Sequence, residues 1–263
     1  MLLPNLIVCL AFLVVAPFTI VSVQAVVSRI RESYFQTEYF VGNFIILIDG
    51  LQVIVRRKGY EHILWQSSSS SSTETPFISV GQFFEPRPPI LNGNFQMEET
   101  ELFLSTSQTI DRVDYLQDNF LNMHGTLGGL SSANIASYSI YFLESDLSFN
   151  QLHFRINITS SNSENSYNRV FLNYWCDHDE SFHGFGESFT NFNMVGRRIP
   201  ILVSEQGVGR GVQPITDYLN SGTEGVGGHW YTTYAPKPMY LTNHNRSLLF
   251  ENSEVNFLTD SFY

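Results

Sequence analysis

The chain has 263 residues and a net charge of −11; 43% of its side chains are hydrophobic, 14% aromatic and only 15% charged. That is ample apolar material for a sizeable core. The acidic balance excludes a nucleic-acid partner, which needs a basic stripe to displace the counterions of phosphate.

The first element is an uncharged apolar run, Leu2 to Ala25. Pro17, Thr19, Ser22 and Gln24 interrupt it, and Val23-Gln24-Ala25 places small residues where a signal peptidase cuts. Residues 1–25 are expected to be a signal peptide, with membrane contact only if this leader stays uncleaved. Cys9 would leave with it, so Cys176 would be the single thiol of the mature chain and no internal disulfide could form. Asn157-Ile158-Thr159 and Asn245-Arg246-Ser247 are N-glycosylation sequons. Leader and sequons together point to a secreted or endolysosomal location.

Phe44–Asp49 and Leu51–Arg57 flank Asp49-Gly50, a strong hairpin signal. The basic run Arg56, Arg57, Lys58 reads as the exposed end of that hairpin. Ser67–Ser72 is six serines in a row, expected to be a loop. β-like runs follow at Phe95–Leu104, Ile110–Leu121, Tyr138–Leu143, Leu152–Ile158, Val170–Trp175, Trp230–Tyr234, Pro238–Leu241 and Leu248–Phe250. Turn residues separate them, at Gly128-Gly129, Ser160–Asn165, Gly222 and Gly225–Gly228. The 22 Phe and 13 Tyr suit strands, and no long segment repeats apolar residues at helical spacing. The expected fold is all-β, an antiparallel sandwich, as one domain over residues 26–263.

His183–Gly211 concentrates glycines, arginines, glutamates and rings. Three chemistries compete for it. Gly184-Phe185-Gly186 begins like a dinucleotide fingerprint, but Phe189 stands where the third glycine belongs. Gly207, Gly209 and Gly211 surround Arg210, yet no helix-forming segment is evident after either cluster, and a phosphate cradle needs a helix N-terminus. Cys176, Asp177, His178, Asp179, Glu180 and His183 offer zinc-type donors. On a strand they point to opposite faces and no second ligand pair follows, so no metal site is expected. Glu187 and Glu205 could serve as paired carboxylates; the default is that they pair with Arg197, Arg198 or Arg210.

The order of motifs carries a resemblance. Asn168-Arg169-Val170-Phe171-Leu172 leads to Asp179-Glu180-Ser181-Phe182-His183-Gly184-Phe185-Gly186-Glu187-Ser188-Phe189. Then come Asn193-Met194-Val195-Gly196-Arg197-Arg198-Ile199-Pro200 and Ser204-Glu205-Gln206-Gly207-Val208-Gly209-Arg210-Gly211, and later Trp230-Tyr231-Thr232-Thr233-Tyr234-Ala235-Pro236 and Leu248-Leu249-Phe250-Glu251-Asn252. This resembles the N-terminal β-sandwich region of glycoside hydrolase family 31, in its α-glucosidase and sulfoquinovosidase-like subgroup. The match is specific over about Asn168–Asp260 and looser at Gly59–Gln66.

The resemblance implies a galactose-mutarotase-like sandwich. It also implies retaining α-glycoside hydrolysis on a following (β/α)₈ barrel, where one Asp attacks the anomeric carbon and a second protonates the leaving oxygen. The chain ends at Tyr263 without the family's nucleophile and acid/base motifs, so this chain alone is expected to be inactive and no catalytic residue is assigned. A carbohydrate and the missing barrel are the partners implied, with no cofactor. Glu187, Glu205, Gln206 and Arg210 are expected to help shape the sugar pocket. Gly184, Gly186, Gly207, Gly209 and Gly211 are expected to allow loop turns, braced by Arg197, Arg198 and Arg210. Trp230, Tyr231 and Tyr234 are read as stacking or core rings. A stand-alone carbohydrate-binding module is the alternative. A mutarotase-like epimerase would need a carboxylate converging on one of His124, His153, His178, His183 or His229.

Overall fold

A computed structural model describes residues 8–11, 37–67, 76–84, 86, 99–116, 120–129, 134–144, 151–160, 167–173, 175–187, 190–222, 226–251 and 256–259. Most of the leader, most of the serine run, residues 95–98 and the turn at 161–165 lie outside them. The chain divides into two compact units, residues 1–84 with 101–177 and residues 85–100 with 178–263.

In the first unit, β1 (Val8–Ala11) runs parallel to a later strand, with Cys9 opposite His153. Four strands then form an antiparallel meander: β2 (Thr37–Val41), β3 (Phe44–Asp49), β4 (Gln52–Arg57) and β5 (Ile63–Gln66). The β3–β4 register pairs Asp49 with Gln52, so the Asp49-Gly50 signal marks a two-residue hairpin loop. β6 (Ile78–Phe84) lies between β7 (Thr100–Leu104) and a strand near the end of the unit. β8 (Ser107–Gln108) and β9 (Arg112–Leu116) both pair with β10 (Phe120–Gly128), which pairs with β11 (Asn134–Glu144) and so on to β12 (Leu152–Ser160). β13 (Arg169–Leu172) completes the sheet of β6 and β7.

Alternation decides what faces inward. In β12, Leu152, Phe154, Ile156 and Ile158 are buried while Arg155 and Thr159 are exposed. Trp65 of the meander packs its ring 5.7 Å from Phe154 of the larger sheet, and Phe142 stacks on Phe154 at 5.5 Å. Two sheets closing on a shared aromatic core make a sandwich.

The second unit holds β14 (Phe182–Gly186), β15 (Arg198–Ile201), α1 (Ile215–Gly222), β16 (Pro236–Thr242), β17 (Ser247–Phe250) and β18 (Asn256–Thr259). β16 pairs antiparallel with both β14 and β17, and β15 pairs antiparallel with β18. Phe182 and Phe185 close on Tyr240 at 5.1 and 5.8 Å to form its core.

The chain is therefore all-β, an antiparallel sandwich fold with one short helix. Three sequence expectations need correction. Trp230–Tyr234 forms turns rather than a strand, because Thr232 folds its hydroxyl back onto the His229 carbonyl at 2.7 Å. The run from Ile110 to Leu121 is split between β9 and β10. A helix does follow Gly211: α1 begins at Ile215. It escapes detection because it has only eight residues. Thr216 is buried and Asn220 caps the Gly227 N–H at 2.8 Å, while Ile215 and Tyr218 face solvent.

Candidate functional site

The second unit carries the loops singled out in sequence. The first is the end of β14. Gly184, Phe185 and Gly186 have φ of 116°, 66° and 90°, three successive residues in conformations that L side chains rarely adopt. A Cβ on Gly186 would sit 2.0 Å from the Ala235 carbonyl oxygen. Glycine is obligatory there because β14 and β16 approach backbone to backbone across a register shift. Phe185 tolerates its strain because its ring is buried against Tyr240. The Glu187 N–H then bonds the Ala235 carbonyl at 3.0 Å and leaves the Glu187 side chain exposed.

The second loop, Glu205–Gly211, is laid against Val226–Gly228. Val208 N–H donates to the Val226 carbonyl at 3.0 Å. Gly209 and Arg210 N–H both donate to the Gly227 carbonyl, at 3.2 and 2.7 Å. Gly211 N–H donates to the Thr216 hydroxyl at 2.9 Å. A Cβ on Gly207 would meet the Gly228 nitrogen at 2.3 Å, so the two segments touch only because both are glycine there. These bonds also settle the phosphate reading. The helix that such a cradle needs is present, but the N–H groups of Val208 to Gly211 are already spent inside the protein.

Of the polar heads of this loop, Glu205 is exposed and Gln206 and Arg210 are half-buried. The Tyr234 hydroxyl donates to the Glu205 carboxylate, and the Arg210 guanidinium donates to the Gln206 side-chain carbonyl. Hydrogen bonding to Glu205 raises the Tyr234 phenol above its ordinary pKa, and neighbouring Arg210 offsets part of the rise. Glu205, Gln206 and Arg210 thus lie in one patch with Tyr234, which is 54% exposed. Tyr234 had been read only as a ring; its partner is 29 residues away, and no sequence pattern signals the pairing.

Glu187 belongs to a neighbouring small hollow, lined also by Trp230, Tyr231, Ile199 and Pro200. Burial raises the Tyr231 phenol, and Arg198 lowers it in part. His229 stacks on Tyr231 with centroids 5.3 Å apart, and burial lowers its pKa.

Of the three arginines expected to brace the loops, Arg210 bonds Gln206 within its own loop. Arg198 pairs with Glu99, and Arg197 lies 5.2 Å above the Trp230 ring. Among the described residues neither Glu187 nor Glu205 has an arginine partner.

Three of the zinc-type donors have partners of their own. Glu180 is buried and held by Arg246, whose Nε donates at 2.8 Å. His183 donates from Nδ1 to the Phe192 carbonyl at 2.8 Å, which leaves Nε2 to accept from the Ser181 hydroxyl at 2.9 Å. Asp179 meets His244 at 3.4 Å. In the first unit, His124 does meet a carboxylate, Asp114 on the neighbouring strand, at 2.9 Å. Arg112 takes the same carboxylate oxygen at 3.0 Å, so the cluster reads as a cross-strand ion network. Asn245 stands exposed in the β16–β17 turn, and Asn157 is half-buried in β12.

No family model matches the chain. Over 99 residues, 38% of the chain, it is 29% identical to a sulfoquinovosidase of Escherichia coli (strain K12), of which that stretch is 15%. Over 86 residues, 33% of the chain, it is 35% identical to a sulfoquinovosidase of Agrobacterium fabrum (strain C58), of which that stretch is 13%. Among solved structures, a GH31 family sulfoquinovosidase from E. rectale, in complex with the aza-sugar inhibitor IFGSQ, superposes on 79% of the chain. That match covers 26% of the other protein, at 20% identity and a TM-score of 0.48. The matched stretches are thus a small part of the relatives' own lengths. A part of the chain is thus similar to part of these sulfoquinovosidases.

Proposed function

We propose that this chain is the N-terminal, galactose-mutarotase-like sandwich of a retaining α-glycosidase, working in a secreted or endolysosomal compartment. Its substrate is an α-glycoside. The carboxylates that cleave it, one attacking the anomeric carbon and one protonating the leaving oxygen, belong to a (β/α)₈ barrel. The sandwich lends that barrel a rim built from Glu205, Gln206, Arg210 and, from the adjoining loop, Glu187.

One observation carries this reading. The N–H groups of Val208 to Gly211 are spent on internal hydrogen bonds, while the exposed Glu205 carboxylate meets the Tyr234 hydroxyl and the half-buried Gln206 and Arg210 heads meet each other beside it. A carboxylate, an amide and a guanidinium gathered on a pinned backbone suit a polyhydroxylated ligand, which offers donors and acceptors in alternation. The exposed apolar residues of the same region, Val203, Val208, Val212, Ile215 and Tyr218, supply a surface on which a barrel can dock.

A stand-alone carbohydrate-binding module is the second reading, favoured by the hollow that Trp230, Tyr231 and Glu187 line. The purified chain separates the two. It is expected to leave p-nitrophenyl α-glucoside intact. It should bind methyl α-glucoside no tighter than about 1 mM by calorimetry, with saturation-transfer NMR contacts that Arg210→Ala abolishes. Hydrolysis by this chain alone, or contacts indifferent to Arg210→Ala, overturns the proposal. Micromolar affinity lost in Trp230→Ala establishes the module instead.

A further inference from the structure

We propose that Asn245 carries an N-linked glycan, an inference that rests on the lumenal reading above. Three observations meet at this residue. It opens the sequon Asn245-Arg246-Ser247. It sits at the tip of a tight turn, closed by Thr242 N–H on the Arg246 carbonyl at 2.8 Å and by Asn245 N–H on the Thr242 carbonyl at 3.1 Å. Its φ is 57°, a conformation that asparagine tolerates better than other side chains, and the residue is exposed. Among the described residues its carboxamide has no hydrogen-bond partner, so attaching a sugar there breaks nothing.

The surrounding structure explains how a bulky group fits. Arg246 turns inward to Glu180 and Ser247 is buried in β17 opposite Leu241, while Asn245 alone of the triplet points to solvent. The Ser247 hydroxyl that a transferase must read is therefore covered in the finished fold. Modification precedes closure of the β16–β17 hairpin, and the glycan remains outside once the hairpin forms. The other sequon is placed differently: Asn157 lies mid-strand, half-buried, in register with Ser139.

In the reaction the Asn245 Nδ2 displaces the pyrophosphate of a polyprenyl-pyrophosphate-linked oligosaccharide at its anomeric carbon. The C–N bond forms as the C–O bond to pyrophosphate breaks. Polyprenyl pyrophosphate leaves, and an acidic group of the transferase takes the Nδ2 proton.

The test is translation of the full chain with microsomes, read by protease protection and by the gel shift on enzymatic release of N-linked glycans. Protected wild-type chain is expected to lose one glycan step. That step should vanish in Asn245→Asp and in Asn245→Gly, both tolerant of the turn's φ, and persist in Asn157→Gln and in Ser247→Thr. Protected wild-type chain with no shift, or a shift unchanged by both Asn245 variants, overturns the proposal while leaving the lumenal reading intact. Chain that is not protected overturns the lumenal reading and this inference with it.

Discussion

Arg246 grips the Glu180 carboxylate in a two-pronged bond, through Nε at 2.8 Å and a terminal guanidinium nitrogen, with the Glu180 side chain wholly shielded from solvent. The pair ties the entry of β14 to the entry of β17 across 66 residues. Removing one partner leaves a buried charge alone, at a cost of about 3–5 kcal/mol. Glu180→Gln and Arg246→Ala are each expected to lower the unfolding free energy by that amount, read from the fall in the urea midpoint. Arg246→Lys should recover little, because an ammonium cannot make the fork. Equal midpoints for wild type and Glu180→Gln would remove this pair from the account of stability.

Gln108 sits under the start of β6. Its Oε1 accepts from Phe77 N–H at 2.8 Å and Ile78 N–H at 3.1 Å, and its Nε2 donates to the Tyr138 oxygen at 2.8 Å. Tyr138 in turn donates to the Thr109 carbonyl at 2.6 Å. Burial raises the Tyr138 phenol well above its ordinary range, so its stabilising contribution is complete below pH 10 and is lost as pH climbs through the raised value. Tyr138→Phe should cost about 1–3 kcal/mol through the unmet Gln108 donor and Thr109 acceptor. It should also flatten the alkaline fall in stability, measured as unfolding midpoint against pH.

Tyr234 and Glu205 offer a readout of the loop itself. The bond to Glu205 is the main cause of the raised Tyr234 phenol. Glu205→Gln should therefore bring one tyrosine back toward pH 10 in a phenolate absorbance titration, with Tyr234→Phe deleting the same transition. A titration unaltered by Glu205→Gln would mean that the two side chains do not meet in solution.

Two glycines with similar φ should respond unequally to alanine. Gly196, at 71°, has open space where a Cβ would go, whereas Gly186, at 90°, has the Ala235 oxygen at 2.0 Å. Gly196→Ala should cost only the left-handed penalty of about 1–2 kcal/mol. Gly186→Ala adds a backbone clash and should lower the thermal midpoint much further. Similar losses in the two would show that the β14–β16 approach is looser than the hydrogen bonds indicate.

Much of this was legible from residue order. The Asp49-Gly50 hairpin, the alternating run of β12 and the need for glycine at 184, 186 and 207 follow from local constraints: side-chain period, turn geometry and the space that a Cβ occupies. Partner choice was not legible. Arg198 finds Glu99 at a separation of 99 residues and Arg246 finds Glu180 at 66; Glu205 finds a tyrosine where an arginine was expected. Helix α1 stayed hidden because it has only eight residues, so the helical spacing of Ile215, Tyr218 and Leu219 has no length over which to recur.

By itself the sequence determined the Asp49-Gly50 hairpin and alternating strands such as β12, because those depend on neighbours a few residues apart. Only the tertiary structure decided which charges meet and which heads of the Glu205–Gly211 loop face solvent. Those outcomes depend on how distant backbone segments are brought within hydrogen-bond reach, which no local pattern encodes.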